Sequence, residues 1–482
     1  MKPSHEKVGE VLAVDLDGTL LRGDLFWEGL TRFLFPRFWR IIPALGWLVK
    51  GGRPFLKSRV AAATALSGER LMWNEEVLHF CKTWRDGGGR VVLASAADRE
   101  AAQKVTRHLP FISEVFGSEA GDNLKGARKA KRLVAEFGAE GFDYIGDCAA
   151  DLPVWRSARN AWFVGTESRR ATLAARLGKP LAAVAPSPAC AGALALKALR
   201  PHQWLKNLLV FFPLCAAHRW SDWNCWQQTM PVFLAVCCLA SSSYLLNDLA
   251  DLDADRAHPR KRGRPFASGA WSIPAGLVTA MILFLTGMAL ATFSSPAALP
   301  VIAGYYALSL FYTLVVKTAP VFDGIFLSGL YTYRMLLGGV AGMVWISPWL
   351  LAFSTTFFLG LAFLKRYIEL SYLPEDGDDA LARRGYSRSD LGFVLTVGIA
   401  SGFLSVVVLA LYLDSSASKA LYASPHWLWL IALILMLWIM RVWFLAGRKT
   451  MHDDPVWFAA RDWVTWALAL LCVLAATAAK PI

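Results

Sequence analysis

Charge is scarce in this chain. Asp, Glu, Lys and Arg make up 18% of its 482 residues, against roughly 25% in an ordinary soluble protein. That shortage excludes a disordered chain and a wholly soluble enzyme. Cysteine is thinly spread. The eight residues Cys81, Cys148, Cys190, Cys215, Cys225, Cys237, Cys238 and Cys472 show no metal-ligand spacing. They read as reduced, buried small hydrophobes, so neither a zinc site nor a disulfide scaffold is implied. Residues 1–10 are polar and lack the apolar core of a signal peptide, so the first ordered segment is expected to start in the cytosol. No internal repeat recurs at a period of roughly 20–50 residues.

Apolar residues are plentiful: 55% hydrophobic, with 21 Trp and 28 Phe, and a net charge of +13. The composition shifts near residue 185. Before it, charges are dense and apolar runs short. After it come long apolar stretches. The join reads PLAAVAPSPACAGALA, uncharged and rich in Pro and Ala, and suggests a linker over 180–197. Residues 1–179 and 198–482 are then two domains.

The first domain alternates strand and helix signals. Short apolar runs at 11–14, 90–94, 142–145 and 161–164 suit buried parallel strands, with helical patterns at 100–108 and 126–137 between them. The expected fold is an open α/β sheet of Rossmann-like type, with ligands at the carboxyl ends of its strands. Residues 24–86 look helical and aromatic-rich, as a cap over the site. Their stretch 35–48, flanked by Arg37, Arg40 and Lys50, is alternatively a membrane-surface contact.

The run VLAVDLDGTLL sets Asp15 and Asp17 directly after a strand. Two carboxylates at this spacing suit phosphoryl chemistry, one attacking phosphorus and one supplying a proton. Acids this close call for a cation, and Mg2+ fits. Ser95 in VVLASAADRE ends the second strand, where a hydroxyl can hold a phosphate oxygen. Lys125 in NLKGARK offers a fixed positive charge. Asp147 and Asp151 in FDYIGDCAADLPVW add two further Mg2+ ligands.

These four motifs, in this order over about 8–170, resemble the haloacid dehalogenase (HAD) phosphatase superfamily. The resemblance implies Asp15 as nucleophile, forming an aspartyl-phosphate, and Asp17 as general acid/base. It implies Ser95 and Lys125 on the phosphoryl group. Mg2+ would sit on Asp15 and Asp147, supported by the Asp17 carbonyl and Asp151.

The second domain shows about nine spanning or near-spanning apolar stretches, centred near Phe211, Ala240, Phe284, Tyr306, Leu330, Thr356, Leu404, Leu433 and Leu470. Alternate loops hold the bases: Arg256 and residues 260–264; Lys317; Lys365, Arg366, Arg383 and Arg384; Arg441, Arg448 and Lys449. The opposite loops carry only Arg219 and Lys419. The rich loops are therefore cytosolic, on the same side as the first domain. The excess charge is membrane topology, and no nucleic-acid partner is expected.

One segment carries chemistry: SSSYLLNDLADLDADRAHPRKRGRPFASG. On a helix Asp248, Asp251 and Asp255 share one face, with Asn247 beside Asp251. An acidic stripe at a membrane boundary is expensive without a cation on it, and Mg2+ carrying a diphosphate fits. His258, Arg260, Lys261, Arg262 and Arg264 follow, and can meet phosphate oxygens. A calcium loop is excluded, because Arg256 stands where Gly is required and Arg262 where a bidentate Glu belongs. Arg334 lies inside an apolar stretch, with Asp323 eleven positions earlier as its rival structural partner. Lys206, Lys317, Lys365, Arg366 and Glu369 fall at expected cytosolic ends, where snorkelling competes with substrate contact.

RPHQWLKN, the NDxxDxxxD stripe and the spans, over about 198–480, resemble the UbiA superfamily of intramembrane transferases. That family holds Mg2+ and a diphosphate on the stripe. Its prenyltransferases carry a second acidic motif on a later loop. Here that place reads KRYIEL, and the acidic stretch 375–379 nearby reads as a solvated loop. The combination most closely resembles decaprenyl-phosphate phosphoribosyltransferases. It implies phosphoribosyl pyrophosphate as donor and a polyprenyl monophosphate as acceptor, the latter held by bases such as Lys206, Lys365 and Arg366.

The expected whole is a bifunctional, multi-pass enzyme of the inner membrane, with both sites facing the cytoplasm. It transfers 5-phosphoribosyl to a polyprenyl phosphate, and its HAD domain dephosphorylates the product. The alternative is a prenyltransferase acting on an apolar acceptor, with a phosphatase for an unrelated metabolite. The lipid bilayer is a partner, and a homo-oligomer stays open.

Overall fold

In the computed structural model, contacts divide the chain into two units. One comprises Met1–Ala198 with Asp248–Val278, the other Leu199–Asn247 with Thr279–Ile482. The residues described are 9–35, 37–64, 66–119, 123–186, 191–259, 261–294, 297–373, 385–451 and 454–479.

In the first unit, six strands form one parallel sheet: β1 (Val11–Val14), β2 (Arg90–Asp98), β3 (Ile112–Ser118), β4 (Phe142–Gly146), β5 (Ala161–Gly165) and β6 (Leu181–Pro186), in the order β3-β2-β1-β4-β5-β6. β1 is central and buried at all four residues. Such unbroken apolar runs belong in a sheet covered on both faces. Val14 is in register with Leu93 on one side and Ile145 on the other. The carboxyl ends of β1 and β4 therefore open at one edge.

Within 180–197, expected as a linker, the described residues are regular structure. Leu181–Pro186 pairs with β5, and Ala191–Leu199 is helical. Leu181 and Ala185 are buried, so the segment 181–186 belongs to the sheet. β3 also escaped the sequence, because Ser113 and Glu114 break its apolar pattern.

The helices of this unit begin with α1 (Leu25–Leu34) and α2 (Ile41–Ala63). Asp24 caps α1 by accepting from the amides of Phe26 and Trp27. The helical geometry of α2 breaks at Gly51 and Gly52, where φ of Gly52 is +66°. α1 and α2 pack on each other around Phe33, Ala44, Leu56 and Val60 as the cap. Glu75–Asp86, inside the range expected for the cap, instead covers the sheet. Its Val77, Leu78, Cys81 and Trp84 join the core with Leu12, Leu93 and Ile145.

The second unit is helical. Among the described residues, six helices are long and apolar enough to cross a membrane: Trp223–Ala250, Ile273–Ser294, Ala298–Thr318, Pro348–Ser371, Arg388–Asp414 and Pro425–Gly447. A seventh span arises if Pro455–Arg461 and Trp463–Ala478, bent by 81°, are counted together. The chain is an integral membrane protein. The expected count of nine exceeds this for two reasons. The stretch around Phe211 is a short 3₁₀ helix, Pro201–Phe211, followed by Phe212–Ala216. The one around Leu330 is the helix Phe322–Ala341, which buries both Asp323 and Arg334 and falls outside this set.

Candidate functional sites

At the carboxyl edge of the sheet, Asp15 follows β1 and Asp147 follows β4. Asp15 is buried and accepts from the Leu16 amide at 2.9 Å. Its Oδ1 lies 2.9 Å from Lys129 Nζ. Lys129 is 2% exposed and also reaches Asp151, at 3.5 Å. It donates to the Tyr144 hydroxyl at 2.8 Å, which donates to Asp151 at 2.9 Å. The other oxygen of Asp151 accepts from the amides of Asp147 and Cys148. Asp151 thus holds the loop after β4 and the Lys129 ammonium together.

Gly18 explains how the acids approach. Its φ is +78°, and a Cβ there would meet Asp147 Oδ2 at 2.6 Å. Asp17 accepts from the Leu25 amide at 2.7 Å, the first turn of α1. Burial pushes the Asp17 carboxyl well above the usual range, with Asp24 adding to it. Burial raises Asp15 to about 6 against the pull of Lys129, and Asp147 to about 7 with Asp15 and Asp151 adding to it. Burial opposes the Lys129 ammonium, but Asp15 and Asp151 outweigh it and hold its pKa above normal.

Donor atoms of Asp147, Cys148 and Asp151 lie within 4.8 Å of one another. Acids crowded this closely are a set that a divalent cation suits. Asp15, Asp17, Lys129 and Asp147 line one cavity of about 1890 Å³.

Lys125 is exposed and lines the same cavity. The cation against Asp15 is Lys129, one helical turn on, which the sequence reading passed over among the bases of Ala127–Phe137. Ser95 is fully buried inside β2, where its hydroxyl accepts from the Ala97 amide at 2.9 Å.

The acidic stripe is broken at Asp251, between Trp223–Ala250 and Leu252–Ala257. Asp248 and Asp255 are still brought together. Both are buried and both accept from Arg264 Nη1, at 3.2 and 2.5 Å. Burial raises Asp255, with Arg264 opposing. Arg264, expected on substrate phosphate, lies against these two carboxylates. Asp251 is half-buried, as is Lys261, and His258 is exposed. Arg260 and the acidic stretch 375–379 lie outside the described residues. In the same unit Arg256 is clamped on Glu28 of α1 at 2.7 Å, and Arg32 on Asp253 at 2.6 Å. Burial opposes the Glu28 carboxylate, but Arg256 and Arg32 outweigh it and hold its pKa below normal.

In the helical unit, Lys206 and Lys365 converge on one oxygen of Asp454, at 2.7 and 3.0 Å. Asp454 was not foreseen; its partners are 248 and 89 positions away. Lys317 donates to Asn247 Oδ1 at 2.9 Å. Arg334 is buried and donates to Asn207 at 2.9 Å. Its guanidinium lies 5.2 Å from the ring centres of both Tyr305 and Tyr331. Among the described residues no carboxylate pairs with it. Asp323, its expected rival partner, instead pairs with Arg366 at 2.5 Å and accepts from Tyr386 at 2.7 Å. Arg366 also meets Glu369 at 2.6 Å. Arg366 is thus held between two carboxylates, as Lys206 and Lys365 are held by one.

Comparison with known proteins agrees with both halves. Residues 207–464 match the UbiA prenyltransferase family, and residues 12–156 match the haloacid dehalogenase-like hydrolases. The y4nM protein of Sinorhizobium fredii is 34% identical over 95% of this chain and 89% of its own length. Nodulation protein NoeC of Azorhizobium caulinodans is 36% identical over 58% of this chain and 89% of its own. The decaprenyl-phosphate phosphoribosyltransferase of Corynebacterium glutamicum is 33% identical over 47% of this chain and 69% of its own. The chain belongs to the UbiA prenyltransferase family and carries a haloacid dehalogenase-like domain ahead of its membrane-spanning part.

Proposed function

We propose that the membrane part transfers 5-phosphoribosyl from phosphoribosyl pyrophosphate to a polyprenyl phosphate, and that the HAD-like part then removes the 5-phosphate. The observation that carries the first half is the pair Lys206 and Lys365 on Asp454. Two ammonium groups within reach of one oxygen form an anion seat, which suits a monophosphate better than a second metal-bound diphosphate. The names of relatives at about a third identity support the same acceptor class.

In the transfer, a lipid phosphate oxygen attacks the anomeric carbon, the bond to the pyrophosphate oxygen breaks, and pyrophosphate leaves. Asp248, Asp251 and Asp255, with Asn247, would hold Mg2+. The meeting of the buried Asp248 and Asp255 carboxylates on one cation, Arg264, supports this reading. The metal supplies charge neutralisation of the leaving group. Arg334, buried against two tyrosines, adds a fixed positive charge.

In the hydrolysis, Asp15 attacks phosphorus and the bond to the ribose oxygen breaks. Asp17, whose pKa burial raises well above the usual carboxylate range, gives that oxygen its proton. Water then attacks phosphorus in the aspartyl-phosphate, Asp17 takes a proton from that water, and the bond to the Asp15 oxygen breaks to release inorganic phosphate. Lys129 steadies the phosphoryl oxygens beside Asp15. Mg2+ would sit on Asp15, Asp147 and the Asp17 carbonyl, while Asp151 positions Lys129. Both sites would face the cytoplasm from the inner membrane.

The test of the transfer uses the full chain in lipid nanodiscs with Mg2+, polyprenyl phosphate and donor labelled in the ribose. Label should enter the lipid fraction and disappear in Asp251→Asn. Label that enters only with a prenyl diphosphate donor would overturn the reading.

A further inference from the structure

The cap carries a surface that the chemistry above does not use. Phe38, Trp39, Ile41, Ile42, Leu45 and Val49 are all exposed, Ile42 by 72% and Val49 by 87%. They lie on the turn Phe38–Arg40 and the first half of α2, which ends at the Gly51–Gly52 break. A contiguous apolar patch on a short helix marks an interaction surface. Its surroundings show what kind. Arg37, Arg40, Lys50, Arg53, Lys57 and Arg59 lie within or beside it in the sequence, and no acid occurs between Glu28 and Glu69. Apolar residues with Trp at the boundary, set among bases alone, are complementary to an anionic lipid surface. The same chain is anchored in a bilayer by its spanning helices.

The two flanks of the helix have different surroundings. Ile41, Ala44, Leu45 and Leu48 line the cavity that holds Asp15, Asp17, Lys129 and Asp147. Ile42 and Val49 stand on the other flank, outside that lining. One short helix therefore borders the phosphatase cavity and bears the exposed patch.

We infer that the outer face of Phe38–Val49 inserts into the headgroup layer of an anionic bilayer, and that the cavity takes a lipid-borne phosphomonoester directly from that surface. The substrate side of this inference rests on the proposed phosphatase reaction; the insertion itself does not. Ile41, Leu45 and Leu48 would cover the first part of the lipid tail, while the phosphoryl group reaches Asp15.

The experiment uses the full chain in nanodiscs of equal parts phosphatidylglycerol and phosphatidylcholine, and in discs of phosphatidylcholine alone. Hydrogen exchange over residues 37–53 reports insertion. Exchange should slow by about tenfold or more on the anionic discs, and the double variant Ile42→Glu, Val49→Glu should abolish that protection. Because these two side chains are exposed, folding is spared. The variant Arg37→Glu, Lys50→Glu provides a second check and should lose protection that depends on anionic lipid. Two substrates separate the surface from the chemistry. Ribose 5-phosphate, which is soluble, should be hydrolysed by the Ile42/Val49 variant within about twofold of the parent chain, while the 5-phosphoribosyl lipid formed in the disc should be hydrolysed about tenfold more slowly. Exchange unaffected by lipid composition, together with equal lipid turnover by both chains, would overturn the inference. So would protection that follows protein concentration, which assigns the face to a second copy. Protection without turnover of either phosphomonoester would sink the phosphatase reading and leave the surface standing.

Discussion

Lys129 Nζ stands 2.9 Å from Asp15 Oδ1, with Tyr144 and Asp151 holding it there. Lys125, four residues earlier, is exposed and lines the same cavity. Hydrolysis of a soluble phosphomonoester should therefore fall by roughly 10²–10³ in Lys129→Ala and by less than about tenfold in Lys125→Ala. Removing Lys129 also leaves Asp15 and Asp151 buried without their cation, a loss of about 3–5 kcal/mol. Rates for Lys129→Arg, which keeps the charge, separate the catalytic loss from the loss of stability.

The HAD-like site should respond to pH and metal in opposite senses. In the unfolded chain Asp15 and Asp147 release protons near the usual 3.8; in the fold they hold them to about 6 and about 7. The folded state therefore binds more protons over that interval. Without metal, stability is greatest below the unfolded value and declines as pH rises to about 7. Mg2+ competes for the same oxygens, so its protection should grow over the same window. Hydrogen exchange of the sheet, with chelator and with Mg2+, measures both. A metal-free chain that gains stability between pH 4 and 7 would contradict the assignment.

Arg264 sits on Asp248 and Asp255, where a metal would sit. Its replacement by Gln should lower the Mg2+ concentration needed for half-maximal transfer by about tenfold, while weakening the segment. An unchanged or raised Mg2+ requirement would show that Arg264 belongs to the metal-loaded site. Titration of transfer rate against Mg2+ decides it.

Arg366 and Arg334 are both buried in the membrane part, yet they should differ when altered. Asp323→Ala leaves Arg366 without its buried partner and should cost about 3–5 kcal/mol, seen as early thermal unfolding in detergent. Arg334 has no carboxylate to orphan among the described residues. Arg334→Gln keeps a donor for Asn207 and should keep the fold while slowing transfer by roughly 10²-fold. Equal thermal stability losses in the two variants would make Arg334 structural as well.

What was legible in the sequence was local. Asp15, Asp17 and Asp147 directly follow apolar strands, so a strand-end motif places them before any tertiary contact is known. The stripe Asp248, Asp251, Asp255 was read from helical spacing; the helix breaks at Asp251, and Asp248 and Asp255 meet at Arg264. What stayed hidden depends on the fold. Lys125 and Lys129 are both bases near one helix start, and only packing against Tyr144 decides which turns inward. Asp454 meets Lys206 across 248 positions, and no spacing rule reaches that far. Leu181–Pro186 was misread because Ala and Pro signal a linker, yet an edge strand tolerates both. The rival pairing of Arg334 with Asp323 followed helical spacing, whereas the actual partner of Asp323 lies on another helix.

The central claim, two consecutive reactions on one lipid, is tested most directly by the mass of the product. The full chain and its Asp15→Asn variant are given phosphoribosyl pyrophosphate, polyprenyl phosphate and Mg2+, and the lipids are weighed by mass spectrometry. The parent chain should yield the ribosyl lipid without its terminal phosphate, and Asp15→Asn should accumulate the same lipid with that phosphate retained. Identical products from the two chains would contradict the coupling.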